Sequence, residues 1–417
     1  MTDEKGRVAD PGLAPQGWKK IEWVKSHMPV MADIEGKISR EKPFDGYKFG
    51  VSIHLEAKTA RLALALKAGG GEVYITSSNP LSTQDDVAAA LNQEENITVF
   101  SRWGVSEDEY EKQLEQVLTN KPDLIIDDGG DLVKQLHGPL ENLSDGIIGG
   151  AEETTTGVNR LRVLDREGEL NFPMFAVNDA RMKYLFDNRY GTGQSTWDAI
   201  TRNTNLTVAG STAVVVGYGW CGKGIARIAD GMGADVIVVE VDPVKALEAK
   251  MDGHRVMNIK QAAPEGDFFI TSTGNIDAIP PEAIKELKDK AILANAGHFD
   301  VEIDIDALED QSVSREEVRD NVERFTFEDG REAYLLAEGR LVNLAAGDGH
   351  PTEIMDISFG LQTLTIQHVL NTDHLENKLY SVPEEVDRSV AEMKLKSLGV
   401  MLDELTEAQV DYLENYS

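Results

Sequence analysis

The chain has 417 residues, 41% of them hydrophobic, and a formal net charge of −32 at pH 7. That length exceeds one ordinary domain and supplies apolar side chains for two or three cores. The charge argues against nucleic acid as a partner, because phosphate contacts need a basic surface, and no apolar stretch approaches the roughly 18 residues of a membrane helix.

The N-terminus, Met1-Thr2-Asp3-Glu4-Lys5-Gly6, has no apolar signal core. The single cysteine, Cys221, excludes an intrachain disulfide framework. A cytoplasmic protein is expected. Acids are spread along the whole chain, as at Glu107-Asp108-Glu109 and Glu384-Glu385. An acidic surface that solvates the protein in a salty cytoplasm is therefore expected over a discrete acidic tail.

Apolar, β-branched runs alternate with helical patterns in the first half. Strands are expected at 47–54, 72–77, 97–100 and 124–127, and helices at 57–68, 85–91 and 107–118. The second half repeats the rhythm, with strands at 213–216, 236–240, 268–271, 291–295 and 341–344 and a helix at 281–287. A long helix at 354–370 and charged helices at 386–398 and 406–412 end the chain. The pattern predicts two doubly wound parallel-sheet α/β domains, a cleft between them and a small helical C-terminal segment.

Polar clusters fall where these strands end, and ligands bind there in parallel sheets. The first is Ser52-Ile53-His54-Leu55-Glu56-Ala57-Lys58-Thr59. The second, Asp127-Asp128-Gly129-Gly130-Asp131, reads either as a turn or as paired carboxylates for acid–base work. Glu152-Glu153-Thr154-Thr155-Thr156-Gly157 sets two acids beside three hydroxyls. Lys183 and Asp187 stand four apart, which suits a surface ion pair or a lysine tuned to take a hydroxyl proton. His298 and His350 each follow a predicted strand. The histidines and acids lack the spacing of a zinc site, so no metal is expected. No G-x-S-x-G elbow is present, which disfavours a serine hydrolase.

The most specific signal is central. The run 213–216 leads into Gly217-Tyr218-Gly219-Trp220-Cys221-Gly222-Lys223-Gly224 and then a helix, and the next strand ends on Glu240. A dinucleotide site asks for this arrangement. Gly217 permits the tight turn, Gly219 lets backbone approach a pyrophosphate, and Gly222 lets helix pack on strand. Glu240 suits a ribose diol and repels a 2′-phosphate, so NAD is expected over NADP.

Taken together, the chain closely resembles the S-adenosylhomocysteine hydrolases. The resemblance rests on STQDD (82–86), DDGGD (127–131), EETTTG (152–157), FDNRYG (186–191), GYGxxGKG (217–224), NAGHFDVEID (295–304) and AEGRLVNL (337–344). It implies a substrate domain at 1–190 with 352–382, an NAD domain at 191–351, an oligomerisation segment at 383–417 and a homotetramer. It also implies thioether hydrolysis by transient 3′-oxidation with retained NAD. Lys183 and Asp187 match the pair that handles the 3′-hydroxyl proton, and Glu153 matches a ribose ligand. His54 and Asp128 match groups that move protons near C4′ and C5′, with His298 among the catalytic groups. Thr154, Thr155, Thr156, Asn188, Thr273, Asn275, His298 and Asn343 match cofactor contacts, and His350 lies near the base.

Three departures stand out. Thr192 replaces a common cysteine, and the chain ends at Tyr416-Ser417 without a longer tail that reaches a neighbour's NAD. After His54 come Glu56 and Lys58, where better-known members carry threonine and then glutamate or glutamine. Lysine only donates, which suits the O6 acceptor of hypoxanthine and opens S-inosylhomocysteine as an alternative substrate. Two other readings are a dehydrogenase that releases NADH and a non-catalytic NAD-binding regulator.

Overall fold

The structure is a computed structural model that describes residues 6–415. The Met1–Lys5 segment of the N-terminal reading and the Tyr416-Ser417 end lie outside them. The first sheet contains β1 (Lys48–Ser52), β2 (Glu72–Thr76), β3 (Ile97–Val99), β4 (Leu124–Asp127), β5 (Gly149–Glu152) and β6 (Met174–Ala176). The second contains β7 (Thr212–Val216), β8 (Asp235–Val239), β9 (Arg255–Val256), β10 (Phe268–Thr271), β11 (Ala291–Asn295), β12 (Ser312–Arg319), β13 (Val322–Phe327) and β14 (Glu332–Leu336). After it the chain returns, and β15 (Leu379–Ser381) joins the first sheet beside β6.

The first sheet is parallel throughout, in the order β15-β6-β5-β4-β1-β2-β3. Its inner strands are buried on both faces, as continuous apolar runs such as Leu124-Ile125-Ile126 require. The order reverses between β1 and β4, and this switch point opens a crevice beyond Ser52 and Asp127, which are partners in register. The second sheet runs β12-β13-β14-β11-β10-β7-β8-β9, and its switch lies between β7 and β10. The crevice there is edged by Gly217 and Ser272.

The strands and helices expected before residue 300 are present with shifts of a few residues, although the helix at 281–287 ends at Ile284. The expected strand at 341–344 is not formed. Val342–Ala345 is a short helix, and Leu341 keeps only an isolated bridge to Asn295. The edge beside β11 is already taken by β14, and a four-residue segment with three apolar residues is ambiguous between the two states. The antiparallel ribbon β12–β13 was also unforeseen. Seven of the eight β12 residues are exposed, so its sequence carries charge rather than apolar alternation.

Two contacts fix the site between the sheets. The helix Thr192–Thr204 meets the helix Trp220–Gly231 at glycines: a Cβ on Gly193 would lie 2.6 Å from the Gly224 backbone. A Cβ on Gly224 would lie 1.7 Å from the Arg189 carbonyl oxygen. Backbone therefore packs on backbone where the Lys183 segment meets the glycine-rich turn. The helix Glu384–Ser397 packs on Pro29–Glu41 and Thr352–Asn371, with Val386 and Val390 buried, whereas Glu407–Glu414 buries none of its residues.

Candidate active site

A cavity of about 1000 Å³ opens between the two switch points. Every site residue expected from the sequence lines it except Gly222, which lies behind the turn. Three groups of side chains divide the space.

The first group is centred on Lys183. The helical turn Arg181–Lys183 runs into a π-helix, Tyr184–Gly191, and the wider turn brings Asp187 and Asn188 back onto Lys183. The Lys183 Nζ donates to Asp187 Oδ1 at 2.9 Å and Asn188 Oδ1 at 2.8 Å, with Glu153 Oε1 3.6 Å away. All four residues are buried, so the surface-pair reading of Lys183 and Asp187 is excluded. Burial alone would lower the lysine pKa, but the Asp187 and Glu153 carboxylates outweigh it and hold the ammonium form. Burial would likewise raise Asp187, yet Lys183 and His350 pull it far below the ordinary range. Glu153 goes the other way: burial pushes it up to about 7, against the pull of Lys183.

Two residues of the helix Thr352–Asn371 complete this group and were missed in the sequence. The Ser358 hydroxyl donates to Asp187 Oδ2 at 2.8 Å, and Gln362 Nε2 donates to Glu153 Oε2 at 2.5 Å. Both are fully buried polar positions, four apart, in a helix of high apolar content. That spacing on one face is the signal that could have found them.

The second group is His54, Asp128 and His298, whose ligand atoms lie within 4.8 Å of one another. His54 Nε2 is 3.5 Å from Asp128 Oδ2, and His298 Nδ1 is 3.9 Å from Asp128 Oδ1. His54 Nδ1 bonds to Ser82 Oγ at 2.7 Å, which fixes the ring. Burial lowers His54 to about 4, partly opposed by Asp128, so the ring is neutral at pH 7. Asp128 Oδ1 and Glu153 Oε1 are buried with no hydrogen-bond partner among the described residues.

Behind Asp128 stand Asp127 and Glu152, register partners on β4 and β5 and both fully buried. Burial raises Asp127 to about 8 and Glu152 well above its usual value. Their oxygens accept from the Val133, Gly129 and Thr154 backbone N–H groups and so hold the loop that carries Asp128.

The third group belongs to the second sheet. Gly217 has φ +96°, which a side chain would strain. A Cβ on Gly222 would lie 1.9 Å from the Gly217 carbonyl oxygen, so helix and strand touch there. A Cβ on Gly219 would meet nothing within 4 Å: the backbone faces open cavity, in front of the N-terminus of Trp220–Gly231. Glu240 accepts from the Tyr218, Val241 and Asp242 N–H groups. Asn343 Nδ2 is tied to Ser195, while its Oδ1 is buried and unpartnered among the described residues. A free acceptor at one end of the cavity and an open glycine turn at the other fit a carboxamide and a pyrophosphate.

Thr155 and Asn188 meet at Asn178, while Thr154 caps its own helix by accepting from the Gly157 N–H. Thr273 is held by the buried Glu302, which accepts from its N–H and hydroxyl. Glu56 and Lys58 form a buried ion pair at 2.9 Å, and Lys58 Nζ also donates to the Asp348 carbonyl at 2.8 Å. His350 Nδ1 lies 3.3 Å from Asp187 Oδ1, and Thr192 bonds to the far side of that ring.

Residues 5–147 match the family described as S-adenosyl-L-homocysteine hydrolase, and residues 188–349 match its NAD binding domain. The chain is 54% identical to the S-inosyl-L-homocysteine hydrolase of Methanopyrus kandleri, over 98% of this chain and 97% of that one. It is 56% identical to the adenosylhomocysteinase of Thermotoga maritima, over 96% and 99%, and 53% identical to that of Aquifex aeolicus, over 98% of each.

Proposed function

The chain belongs to the S-adenosyl-L-homocysteine hydrolase family, and from that membership we propose that it hydrolyses S-adenosyl-L-homocysteine to adenosine and homocysteine with NAD retained through each turnover. The observation that carries the reading is the buried Glu153–Lys183–Asp187 cluster facing the same cavity as the glycine-rich turn. NAD, when bound, would supply the reversible two-electron oxidation that turns the 3′ alcohol into a ketone and, by the reverse hydride transfer, back into the alcohol.

In this reading the residues act in sequence. Glu153 Oε1 accepts from a ribose hydroxyl, and Lys183 Nζ relays the 3′ proton between that hydroxyl and Glu153. Asp187 keeps the lysine in place. His54, neutral at pH 7, removes the C4′ proton made acidic by the neighbouring ketone, and homocysteine leaves as the thiol. Asp128 and His298 then orient water at C5′ and return protons. Asn188, Thr154, Thr155, Thr156, Thr273, Asn275, Asn343 and Glu240 surround the dinucleotide. The division into a substrate domain at 1–190 with 352–382, an NAD domain at 191–351 and a C-terminal segment belongs to the same proposal. So do the homotetramer, the cytoplasmic location and the absence of nucleic-acid partners. No helix among the described residues is long and apolar enough to cross a membrane.

A second reading concerns the base. Adenine presents an N6 donor and an N1 acceptor, and hypoxanthine presents an N1 donor and an O6 acceptor. The Glu56–Lys58 pair offers one acceptor and one donor, and so can satisfy either base. Lys58 is donor-only, which suits the O6 acceptor of hypoxanthine and keeps S-inosylhomocysteine as the alternative substrate. Comparing kcat/KM for the two thioethers decides it: an adenosine preference above about tenfold, about 1.4 kcal/mol, rules the inosine reading out.

The test of the main reading is Lys183→Ala. It is expected to keep NAD and lose 3′-oxidation, with products identified by mass spectrometry. Full turnover in that variant would remove Lys183 from the mechanism.

A further inference from the structure

The turn that carries Lys183 starts without a cap of its own. Residue 180 is alanine, and no side chain at that position accepts from the first-turn N–H groups of Arg181–Lys183. Exposed helix donors normally find a Ser, Thr, Asp or Asn in sequence. Here the acceptor comes from more than 200 positions away. Asp387 Oδ1 accepts from the Met182 N–H at 2.8 Å, and Oδ2 accepts from the Arg181 N–H at 3.2 Å. The carboxylate also lies at the positive end of the helical run.

Asp387 lies on Glu384–Ser397, which is anchored by buried Val386 and Val390. A second tie holds the same helix elsewhere: Lys394 Nζ donates to the buried Asp356 at 3.0 Å, and Asp356 also accepts from the Val30 and Met31 N–H groups. The two ties differ in reach. Lys394 fastens the helix to Thr352–Asn371 and Pro29–Glu41, whereas Asp387 fixes the backbone one residue before Lys183.

We propose that Asp387 is a positioning residue for the 3′-proton transfer. It caps in trans the turn that aims Lys183 Nζ at Asp187, Asn188 and Glu153. The inference rests on the reading of Lys183 given above. Without the cap, two N–H groups lose their acceptor, the first turn opens and the ammonium group moves away from Glu153. Misplacement by about 1 Å at a reacting group is enough to cost on the order of a hundredfold in rate.

The test uses the full-length NAD-loaded enzyme. Adenosine and inosine are each mixed with it in the absence of homocysteine, and reduction of bound nicotinamide is followed by absorbance. Asp387→Ala is expected to slow that step at least about tenfold, while Asp387→Asn, which keeps an acceptor oxygen, stays within about threefold of wild type. Lys394→Met, which cuts the other tie of the same helix, is expected to react within about twofold of wild type. NAD content is expected to be equal in all of them. Should Asp387→Ala fail to fold, Asp387→Gln takes its place, because it moves the acceptor by one methylene, and slowing is again expected.

A wild-type rate in Asp387→Ala or its substitute overturns the inference. So does equal slowing in Lys394→Met, which would make the effect general loosening. Lys183→Ala separates the two levels. If it loses oxidation while Asp387→Ala does not, the inference alone fails; if it keeps oxidation, the reading of Lys183 fails and the inference with it.

Discussion

Two glycines in one turn give opposite forecasts for the same substitution. A Cβ on Gly222 would lie 1.9 Å from the Gly217 carbonyl oxygen, where ordinary contact begins at 3.4 Å. The obstacle is backbone, so Trp220–Gly231 must retreat by the difference, 3.4 − 1.9 = 1.5 Å. Overpacking of that kind costs about 1–3 kcal/mol. At roughly 2–4 °C per kcal/mol for a unit of this size, Gly222→Ala lowers the melting temperature of the NAD-free protein by several degrees. Gly219 has φ −73° and open space ahead of it. Gly219→Ala therefore leaves the stability of the NAD-free protein within about 0.5 kcal/mol of wild type. Its methyl group enters the space assigned to the pyrophosphate, and a clash of about 1–3 kcal/mol there weakens NAD roughly 5- to 150-fold. The assay pairs thermal melts of NAD-stripped protein with nicotinamide content after dialysis. Gly219→Ala is expected to lose NAD at wild-type stability, and Gly222→Ala to lose stability. Wild-type retention of NAD by Gly219→Ala would refute the placement of the dinucleotide over this turn.

Two further outcomes follow from the buried acids. Because Glu153 is raised to about 7 by burial, it takes up a proton as pH falls through that value and can no longer serve as the relay's acceptor. The rate of 3′-oxidation should fall below about pH 7, and Glu153→Gln should be slow with no such limb; a limb that survives in the variant belongs to another group. Asp127, raised to about 8, keeps its proton in the folded state, whereas the unfolded chain releases it near the ordinary value of about 3.9. Folding stability therefore declines as pH rises between those values, and Asp127→Asn should melt with a shallower decline from pH 5 to pH 8. Equal slopes in the two proteins would mean that Asp127 is ionised in the fold.

The parts of the site that were legible in the sequence are those whose physics is local. The turn from Gly217 to Gly224 needs glycine for close approach, and its helix and following strand lie within 25 positions, so the signal is contiguous. His54, Asp128 and Glu153 each follow a parallel strand, the first two at the switch point and the third on the strand beside it, and the alternation of strand and helix marks those ends. Ser358, Gln362 and Asp387 are different. The spacing of Ser358 and Gln362 marks a buried polar face, but the partner of each of the three is chosen by packing across 171 to 209 positions, which no local pattern announces. The π-turn was hidden for a related reason: ordinary helical spacing already places Lys183 and Asp187 on one face, so the wider turn that also gathers Asn188 left no separate trace. Leu341–Leu344 was misread because four residues, three apolar and Asn343, are too few to carry a period, and its tertiary setting chose helix.

The central claim is that a redox cofactor is spent and restored within one net hydrolysis. The most direct measurement supplies S-adenosyl-L-homocysteine and S-inosyl-L-homocysteine separately to purified protein carrying its own NAD, with none added. Free homocysteine and protein-bound nicotinamide are followed together. Many equivalents of homocysteine per subunit are expected from at least one thioether, with the nicotinamide fully oxidised when substrate is exhausted. Release that stops at one equivalent, with reduced nicotinamide accumulating in step, would contradict it.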